Sequence, residues 1–352
     1  MIRFGPAGIP LSCKGRTLKD GIEDVHNLGL NAMEVQMVRV NVIERYPDEE
    51  EVGLNPFDVE SDLIVEIIRN GESVLTGIRE AEIEEDDILI TLASGLVQNF
   101  KELEHLGEIG RQLDVKLSMH TPYYMDLASN SDLTERSINN IRWAGLMTDS
   151  MGGDIVVTHQ GLYGRQRKEL AISNIGENIA MLMAWWHDNH LKPLLGLETS
   201  GRQEVFGSLD EIMDICDRVE GVVPVINFAH YHARENGVLR EPEDFGELLD
   251  RVRDKVGNHF YTHFSGVEHE GGNEKRVTPI KKGDLRFEPF AEYLVEAMPD
   301  VTIISSSPLL EHDAMYMKVI FERVLAKKVA RDRKARKAEK EEERKDRKEA
   351  EK

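Results

Sequence analysis

Five short apolar runs in this 352-residue chain each end in a residue able to bind a metal ion. Lys116-Leu117-Ser118-Met119-His120 alternates as a strand does and is closed by Pro122, which cannot donate to a sheet ladder. Ile155-Val156-Val157-Thr158 runs into His159, and Leu195-Gly196-Leu197 into Glu198. Val225-Ile226 reaches Asn227 and, after Phe228-Ala229, His230; Phe260-Tyr261-Thr262 reaches His263. A single histidine at a strand end is more often a core or capping residue than a ligand. Successive strands that all end this way constrain the fold, because their tips must lie near one another for the pattern to have a use.

Helical periodicity separates the runs. Residues 100–112, 133–151, 170–190, 208–219, 242–255 and 287–297 read as helices, each leading into the next strand. Ile2–Gly8 is a first strand, Thr17–Leu28 a helix capped by Thr17 and stopped by Gly29, and Ala32–Met37 a second strand. Thr302–Ser305 is the last strand, and a final helix begins near His312. Eight strand–helix units predict a TIM (β/α)8 barrel, whose active sites lie at the C-terminal strand ends. A doubly wound sheet is the alternative, but it does not place metal-type residues on so many consecutive strand ends.

Two segments stand outside the alternation. Residues 59–97 hold three short strand-like runs with Asn70-Gly71, a hairpin signal, between two of them. They predict a small inserted β subdomain, leaving 1–58 and 98–326 as the barrel. Residues 327–352 are almost wholly Lys, Arg, Glu, Asp and Ala without an apolar stripe, which predicts a solvated helix or a disordered tail. The insert and the charged tail are the surfaces this reading leaves for a protein or nucleic-acid partner.

Charge and cysteine content narrow the function classes. The net charge is −21; residues 321–352 carry 14 Lys/Arg against 9 Asp/Glu, which leaves −26 on the rest. Such acidity opposes non-specific binding to nucleic acid while permitting a local basic cleft. The two cysteines, Cys13 and Cys216, form neither a zinc pattern nor a disulfide framework. No run is long and apolar enough to span a membrane, and no leader precedes the first strand, so the expectation is a cytoplasmic protein with no membrane partner.

The strand-end residues suit zinc, which takes imidazole nitrogen and carboxylate oxygen and in catalytic sites keeps one position open. His120, His159 and Glu198 can supply one three-ligand site. A carboxylate can bridge to a second ion, and two ions a few ångströms apart suit in-line phosphate displacement.

The segments also resemble a known family. His120-Thr121-Pro122-Tyr123 is similar to the His-Ala-Pro-Tyr segment of the endonuclease IV family of apurinic/apyrimidinic endonucleases, and Asp126-Leu127-Ala128-Ser129 to its Asn-Leu-Ala-Ser. Thr158-His159-Gln160-Gly161 resembles its fourth-strand histidine segment, and Leu197-Glu198-Thr199-Ser200-Gly201 its Leu-Glu-Asn-Thr-Ala-Gly. Asn227-Phe228-Ala229-His230 stands where the family has Asp-Thr-Cys-His, and His263-Phe264-Ser265-Gly266 where it has His-Leu-Asn-Asp. The likeness runs over roughly residues 1–320 without the insert. It implies a divergent member of the xylose-isomerase-like TIM barrels acting as a metal-dependent phosphodiesterase on abasic or damaged DNA.

The family binds three zinc ions. The resemblance places the first on His120, His159 and Glu198, all intact and expected to carry the catalysis. The second adds the positions of Asn227, His263 and a strand-eight glutamate, which here is Ser306 of Ser306-Ser307-Pro308. Two carboxylates are thus replaced by weaker ligands. The third uses His230 and an Asp-x-His segment, aligned here with Lys275-Arg276-Val277, where Lys275 repels a cation and is instead positioned for a phosphate. His232, His269, Glu270, Glu274 and Glu311 remain as further ligand candidates. The expectation is one zinc held firmly, a weak or empty second position and a lost third. Tyr123 aligns with a family tyrosine that contacts DNA near the lesion, and Arg39 with an arginine that enters the duplex.

Two other functions compete. A sugar isomerase or epimerase of the same superfamily holds its metal with Glu, Asp, His and Glu from strands five to eight. That set here reads Glu198, Asn227, His263 and Ser306, so half of it is gone. The other is a non-catalytic binding protein on a degenerate barrel, and fold alone does not separate the three.

Overall fold

The structure is a computed structural model that describes residues 1–350 except 39, 75, 76, 94 and 258, with side chains to residue 341. The chain opens with β1 (Ile2–Pro6), α1 (Leu18–Asn27) and β2 (Ala32–Gln36). β3 (Val42–Arg45), β4 (Ile64–Arg69), β5 (Glu72–Ser73) and β6 (Ile88–Leu92) follow as a group. The alternation then resumes with α2 (Phe100–Gln112), β7 (Lys116–His120), α3 (Asp132–Met151), β8 (Ile155–Thr158), α4 (Lys168–Asp188), β9 (Leu194–Glu198), α5 (Leu209–Arg218) and β10 (Val222–Asn227). It ends with α6 (Phe228–Arg234), α7 (Pro242–Val256), β11 (His259–Phe264), β12 (Gly266–Glu270), β13 (Asn273–Thr278), α8 (Phe287–Ala297), β14 (Asp300–Ser305) and α9 (Glu311–Ala350).

Eight parallel strands form one sheet in the order β1-β14-β11-β10-β9-β8-β7-β2. β2 and β1 meet at the remaining seam through a parallel bridge between Ala7 and Glu34, and the Phe4 amide donates to Asn31 Oδ1 at 2.9 Å. Gly5 makes this approach possible: a Cβ there would lie 1.8 Å from the Ala32 carbonyl oxygen. The result is a nearly closed α/β TIM barrel. Ala32, Ile155, Val157, Val223, Val225 and Ile304 fill its interior, as alternate residues of successive strands must. Larger side chains fill the layer between strands and helices, where Phe264 of β11 packs among Phe228 of α6, Phe245 of α7 and Phe287 and Phe290 of α8.

Helix starts follow local chemistry. Thr17 caps α1 and Ser208 caps α5, each in a capping box with the acid three residues on, which satisfies first-turn amides that have no helical partner. These caps fix where each strand–loop–helix unit turns over the barrel mouth, and so where the strand tips sit.

The second sheet is antiparallel, in the order β3-β6-β4-β5, and so takes in Val42–Arg45 upstream of residue 59. Asn70 and Gly71 both have positive φ, as the two-residue hairpin requires. Its period-two pattern gives it two apolar faces. Leu63, Val65, Ile90 and Leu92 join the main core, while Val59, Ile64, Ile67, Ile83 and Leu89 form a cluster of their own. Phe57 stacks on Phe100 at 3.9 Å, and Arg79 pairs with Asp149 near the end of α3 at 2.6 Å, so the sheet lies along the outer helices. The C-terminal charged segment continues α9, a 40-residue helix. Ala314, Met317 and Ile320 bury its first turns, and Lys328 pairs with Glu296 on α8. From Arg331 to Glu341 every side chain is exposed. Among the described residues no helix is long and apolar enough to cross a membrane.

Candidate metal centre

The residues singled out by the strand ends converge on one carboxylate. Glu198 closes β9 and is buried, with His120 Nε2 3.1 Å and His159 Nε2 3.2 Å from its Oε2. His263 Nδ1 lies 2.9 Å from Oε1, and the Asn227 amide donates to that same oxygen at 2.8 Å. The barrel register sets this: Asn227 stands level with His263, and Glu198 with Val225, one strand away. Glu198 therefore presents one oxygen to the two histidines and has the other held by the Asn227 amide and the nearby charge of His263.

The imidazole of His120 is oriented for coordination. Its Nδ1–H donates to the Thr121 carbonyl at 2.7 Å, which directs Nε2 at Glu198 Oε2, 3.1 Å away. Burial lowers the His159 pKa to about 4, outweighing the attraction of Glu198, so this ring is neutral at pH 7. Burial also disfavours charge on His120, but its bond to Glu198 and the charges of Glu34 and Glu198 win and raise its pKa. A metal bound there competes with Glu198 for the His120 Nε2 position. Glu198 is itself driven well below the usual carboxylate range: burial opposes this, and the neighbouring His159 and His263 overcome it.

His263 has a second carboxylate that the strand-end pattern did not reveal. Glu34, at the centre of β2 and 1% exposed, accepts from His263 Nε2 at 2.7 Å and from the Tyr261 hydroxyl at 2.9 Å. Gln36 donates to its other oxygen at 2.7 Å, and Ser118 Oγ lies 2.5 Å from the Tyr261 hydroxyl. Burial works against the imidazolium, yet Glu34 and Glu198 on either side raise the His263 pKa to about 10. A fixed cation thus lies between the two acids. An acidic residue inside the apolar run Ala32-Met33-Glu34-Val35 is the local signal for Glu34, but its partners are more than two hundred residues away.

The other expected ligands are placed differently. Asn227 Oδ1 accepts from the amides of Ala229 and His230, so its NH2 must face Glu198 and it offers no ligand atom there. His230 Nδ1–H donates to the Thr199 carbonyl at 2.8 Å, and its Nε2 lies 3.2 Å from Glu274 Oε2. Glu274, on β13, rather than Lys275, is therefore the residue beside His230. It fits because Gly201 has no side chain: a Cβ there would lie 2.5 Å from Glu274 Oε2. Lys275 points outward and pairs with Glu270 at 3.3 Å, which removes it from both cation repulsion and phosphate contact at the site. Tyr123 sets its ring edge-on to His159 at 5.1 Å and is 64% exposed. Ser306 follows β14 and its Oγ is buried without a hydrogen bond. Arg39 lies outside the described residues.

Among the described residues two groups of three side chains have ligand atoms close enough to share an ion: His120, His159 and Glu198, and His232, His269 and Asp284. One proton separates them. In the first, His120 Nδ1 faces a carbonyl, so Nε2 is free to coordinate. In the second, His232 Nδ1 accepts from the Leu239 amide at 3.1 Å, so the ring proton sits on Nε2, 3.3 Å from Asp284. A metal there would need an imidazolate. His269 Nε2 also lies 3.2 Å from Asp284, and the trio is a hydrogen-bonded bridge from α6 to β12. The first group fits a divalent ion and the second does not. At the first group's edge opens a cavity of about 540 Å³, whose lining includes Tyr123, His159, Arg165, Arg202, His230 and Glu274.

Residues 84–305 match the family described as Xylose isomerase-like TIM barrel. An uncharacterized protein of Methanocaldococcus jannaschii is 29% identical over 222 residues, 62% of this chain and 79% of that one. Among solved structures, endonuclease IV from Thermus thermophilus superposes with a TM-score of 0.57 at 16% identity, covering 92% of this chain and 99% of that chain. A D-tagatose 3-epimerase-like protein gives 0.58 at 15% identity over the same shares. SacUVDE gives 0.57 at 18%, again over 92% of this chain and 99% of that chain. At these identities the superpositions speak for a shared fold, and they reach both endonuclease and epimerase.

Proposed function

The chain belongs to the xylose isomerase-like TIM barrel family, and from that premise we propose a phosphodiester hydrolase of endonuclease IV type that holds one zinc ion on His120, His159 and Glu198 and acts on abasic or damaged DNA. Two imidazoles and a carboxylate are a zinc ligand set with a position left open. Bound there, the ion supplies Lewis-acid polarisation of a phosphoryl oxygen and an acidified water. The rest of the work falls to the chain itself. The Thr121 carbonyl keeps His120 in its coordinating tautomer. Asn227 and His263 stand at Glu198 Oε1, which leaves Oε2 toward His120 and His159. Tyr123 stands at the rim, where a ring can stack on an extruded nucleotide.

The observation that carries this reading is the division of Glu198 between two sides. An epimerase-type site needs ligands from Asn227, His263 and Ser306. Here Asn227 presents an N–H, and His263 is engaged at both nitrogens by carboxylates. His120, His159 and Glu198, from the ends of β7, β8 and β9, are the set whose ligand atoms converge closely enough to share one ion. The second position is filled by the His263 imidazolium instead of a metal ion, which accords with a single ion per chain. The test is incubation of zinc-loaded protein with a duplex carrying one abasic site. Incision that stops with chelator and in Glu198→Gln supports the reading. A zinc-loaded protein that leaves the strand intact while epimerising a ketose contradicts it.

A further inference from the structure

Two arginines line the cavity beside the histidine–carboxylate cluster without a partner among the described residues. Arg165 lies in the loop after β8 and Arg202 in the loop after β9, and both line the cavity with His159 and His230. Among the described residues neither guanidinium has a hydrogen bond or ion pair. This is unexpected in a chain with 65 Asp/Glu against 44 Lys/Arg, where Arg45, Arg69 and Arg79 all find carboxylates. Much of the acidity lies on the sheet that flanks the outer helices, where residues 42–98 hold 16 Asp/Glu and three Lys/Arg. The cavity lining has two carboxylates of its own, but Asp126 accepts from the Ala128 and Ser129 amides and Glu274 stands beside His230, so neither pairs with the two guanidiniums.

The cavity also has an apolar lining. Tyr124 is 83% exposed and Leu162 57%, both large side chains that gain from being covered. Tyr123 meets Tyr124 edge-on at 5.2 Å and His159 edge-on at 5.1 Å, which pins Tyr123 and leaves the Tyr124 face open. A guanidinium fork matches the oxygens of a phosphate in a way a neutral sugar hydroxyl does not use. An exposed ring suits a flat base, and the volume of about 540 Å³ suits a ligand of nucleotide size.

We propose that Arg165 and Arg202 form a phosphate-binding subsite of this cavity, and that the unit it takes is a single nucleotide, with its phosphate on the two guanidiniums and its base against Tyr124. This rests on the phosphodiester reading above and narrows it, because one nucleotide of the bound strand is then held in a pocket beside the histidine–carboxylate cluster.

The experiment is calorimetric titration of the full-length chain, zinc-loaded and chelator-treated, with thymidine 5′-monophosphate, inorganic phosphate and D-fructose. Thymidine monophosphate should bind both forms, inorganic phosphate more weakly, and D-fructose not at all. Arg165→Gln and Arg202→Gln should each weaken nucleotide binding by roughly tenfold, the loss of a charge-assisted contact, with zinc content unchanged. Tyr124→Ala should remove the preference for the nucleotide over inorganic phosphate. Nucleotide binding that is absent, or unchanged in the double arginine variant, overturns the subsite, as does tighter binding of D-fructose. Arginine-dependent nucleotide binding without strand incision would keep the subsite and refute the hydrolase reading. Full incision by the double variant would do the reverse.

Discussion

Glu34→Gln is the substitution that best probes how the barrel holds its central carboxylate. In the native chain His263 lies between Glu34 at 2.7 Å and Glu198 at 2.9 Å, all three nearly or fully buried. The substitution keeps the shape and one acceptor and removes one of two negative charges. A unit-charge interaction across about 4 Å is about 4 kcal/mol at an effective dielectric of about 20. The retained carbonyl recovers part of this, so the expected loss is about 3 kcal/mol, at the lower edge for a broken buried pair. For a chain of this length that is about 4 °C in Tm, given about 2 cal/mol/K of unfolding entropy per residue. The pH dependence identifies the cause. The His263 pKa is raised to about 10, so its stabilisation is complete below its unfolded value near 6.5 and disappears as pH rises through about 10. Denaturant unfolding of metal-free protein at pH 7 and at pH 10.5 should therefore show the Glu34→Gln cost shrinking at the higher pH. In a His263→Gln background the cost should be small at both. An equal cost at both pH values, or no coupling to His263, would refute the charge argument and leave Glu34 a packing residue.

Other expectations follow from the same geometry. Asn227→Asp replaces an N–H donor 2.8 Å from Glu198 Oε1 by a like charge, so metal-free protein should lose about 1–3 kcal/mol in urea unfolding. Combined with Ser306→Glu it should raise the number of bound ions and the rate of incision; an unaltered metal count would contradict the ligand assignment. Zinc affinity should rise with pH until His120 is neutral in the metal-free protein, because its raised pKa makes binding a proton-releasing step. Competitive chelator titrations in two buffers of different ionisation enthalpy check this, and a pH-independent affinity would count against His120 as ligand. Tyr123→Ala should weaken binding to abasic duplex by about 1–3 kcal/mol, the range for a lost stacking surface, measured by fluorescence anisotropy. Unchanged binding would assign Tyr123 to packing against His159.

The barrel was legible because its signals are local. The barrel strands are short apolar runs, several helices are amphipathic with a side-chain cap, and their alternation has few foldings. The cluster of His120, His159 and Glu198 was legible for the same reason, since these residues stand at strand tips. The missing information is long-range. Glu34 is one acid in an apolar strand, and its meaning depends on Tyr261 and His263 arriving from across the barrel. Glu274 reaches His230 only because the β12–β13 hairpin folds back and Gly201 leaves room, so a linear alignment placed Lys275 there instead. Val42–Arg45 is a short, largely exposed edge strand, whose sequence carries no apolar alternation to announce it. The role of Asn227 turned on the direction of its amide, which two backbone donors decide and the residue's identity does not.

The central claim is that this barrel holds one divalent ion on His120, His159 and Glu198, with hydrogen-bond donors in place of a second. Elemental analysis of the full-length chain, reconstituted with zinc and freed of loose metal by gel filtration, measures it directly. The account predicts one zinc per chain, reduced to near zero in His159→Ala and Glu198→Gln and retained in His232→Ala. Two or three ions per chain, or a full complement in His159→Ala, would contradict it.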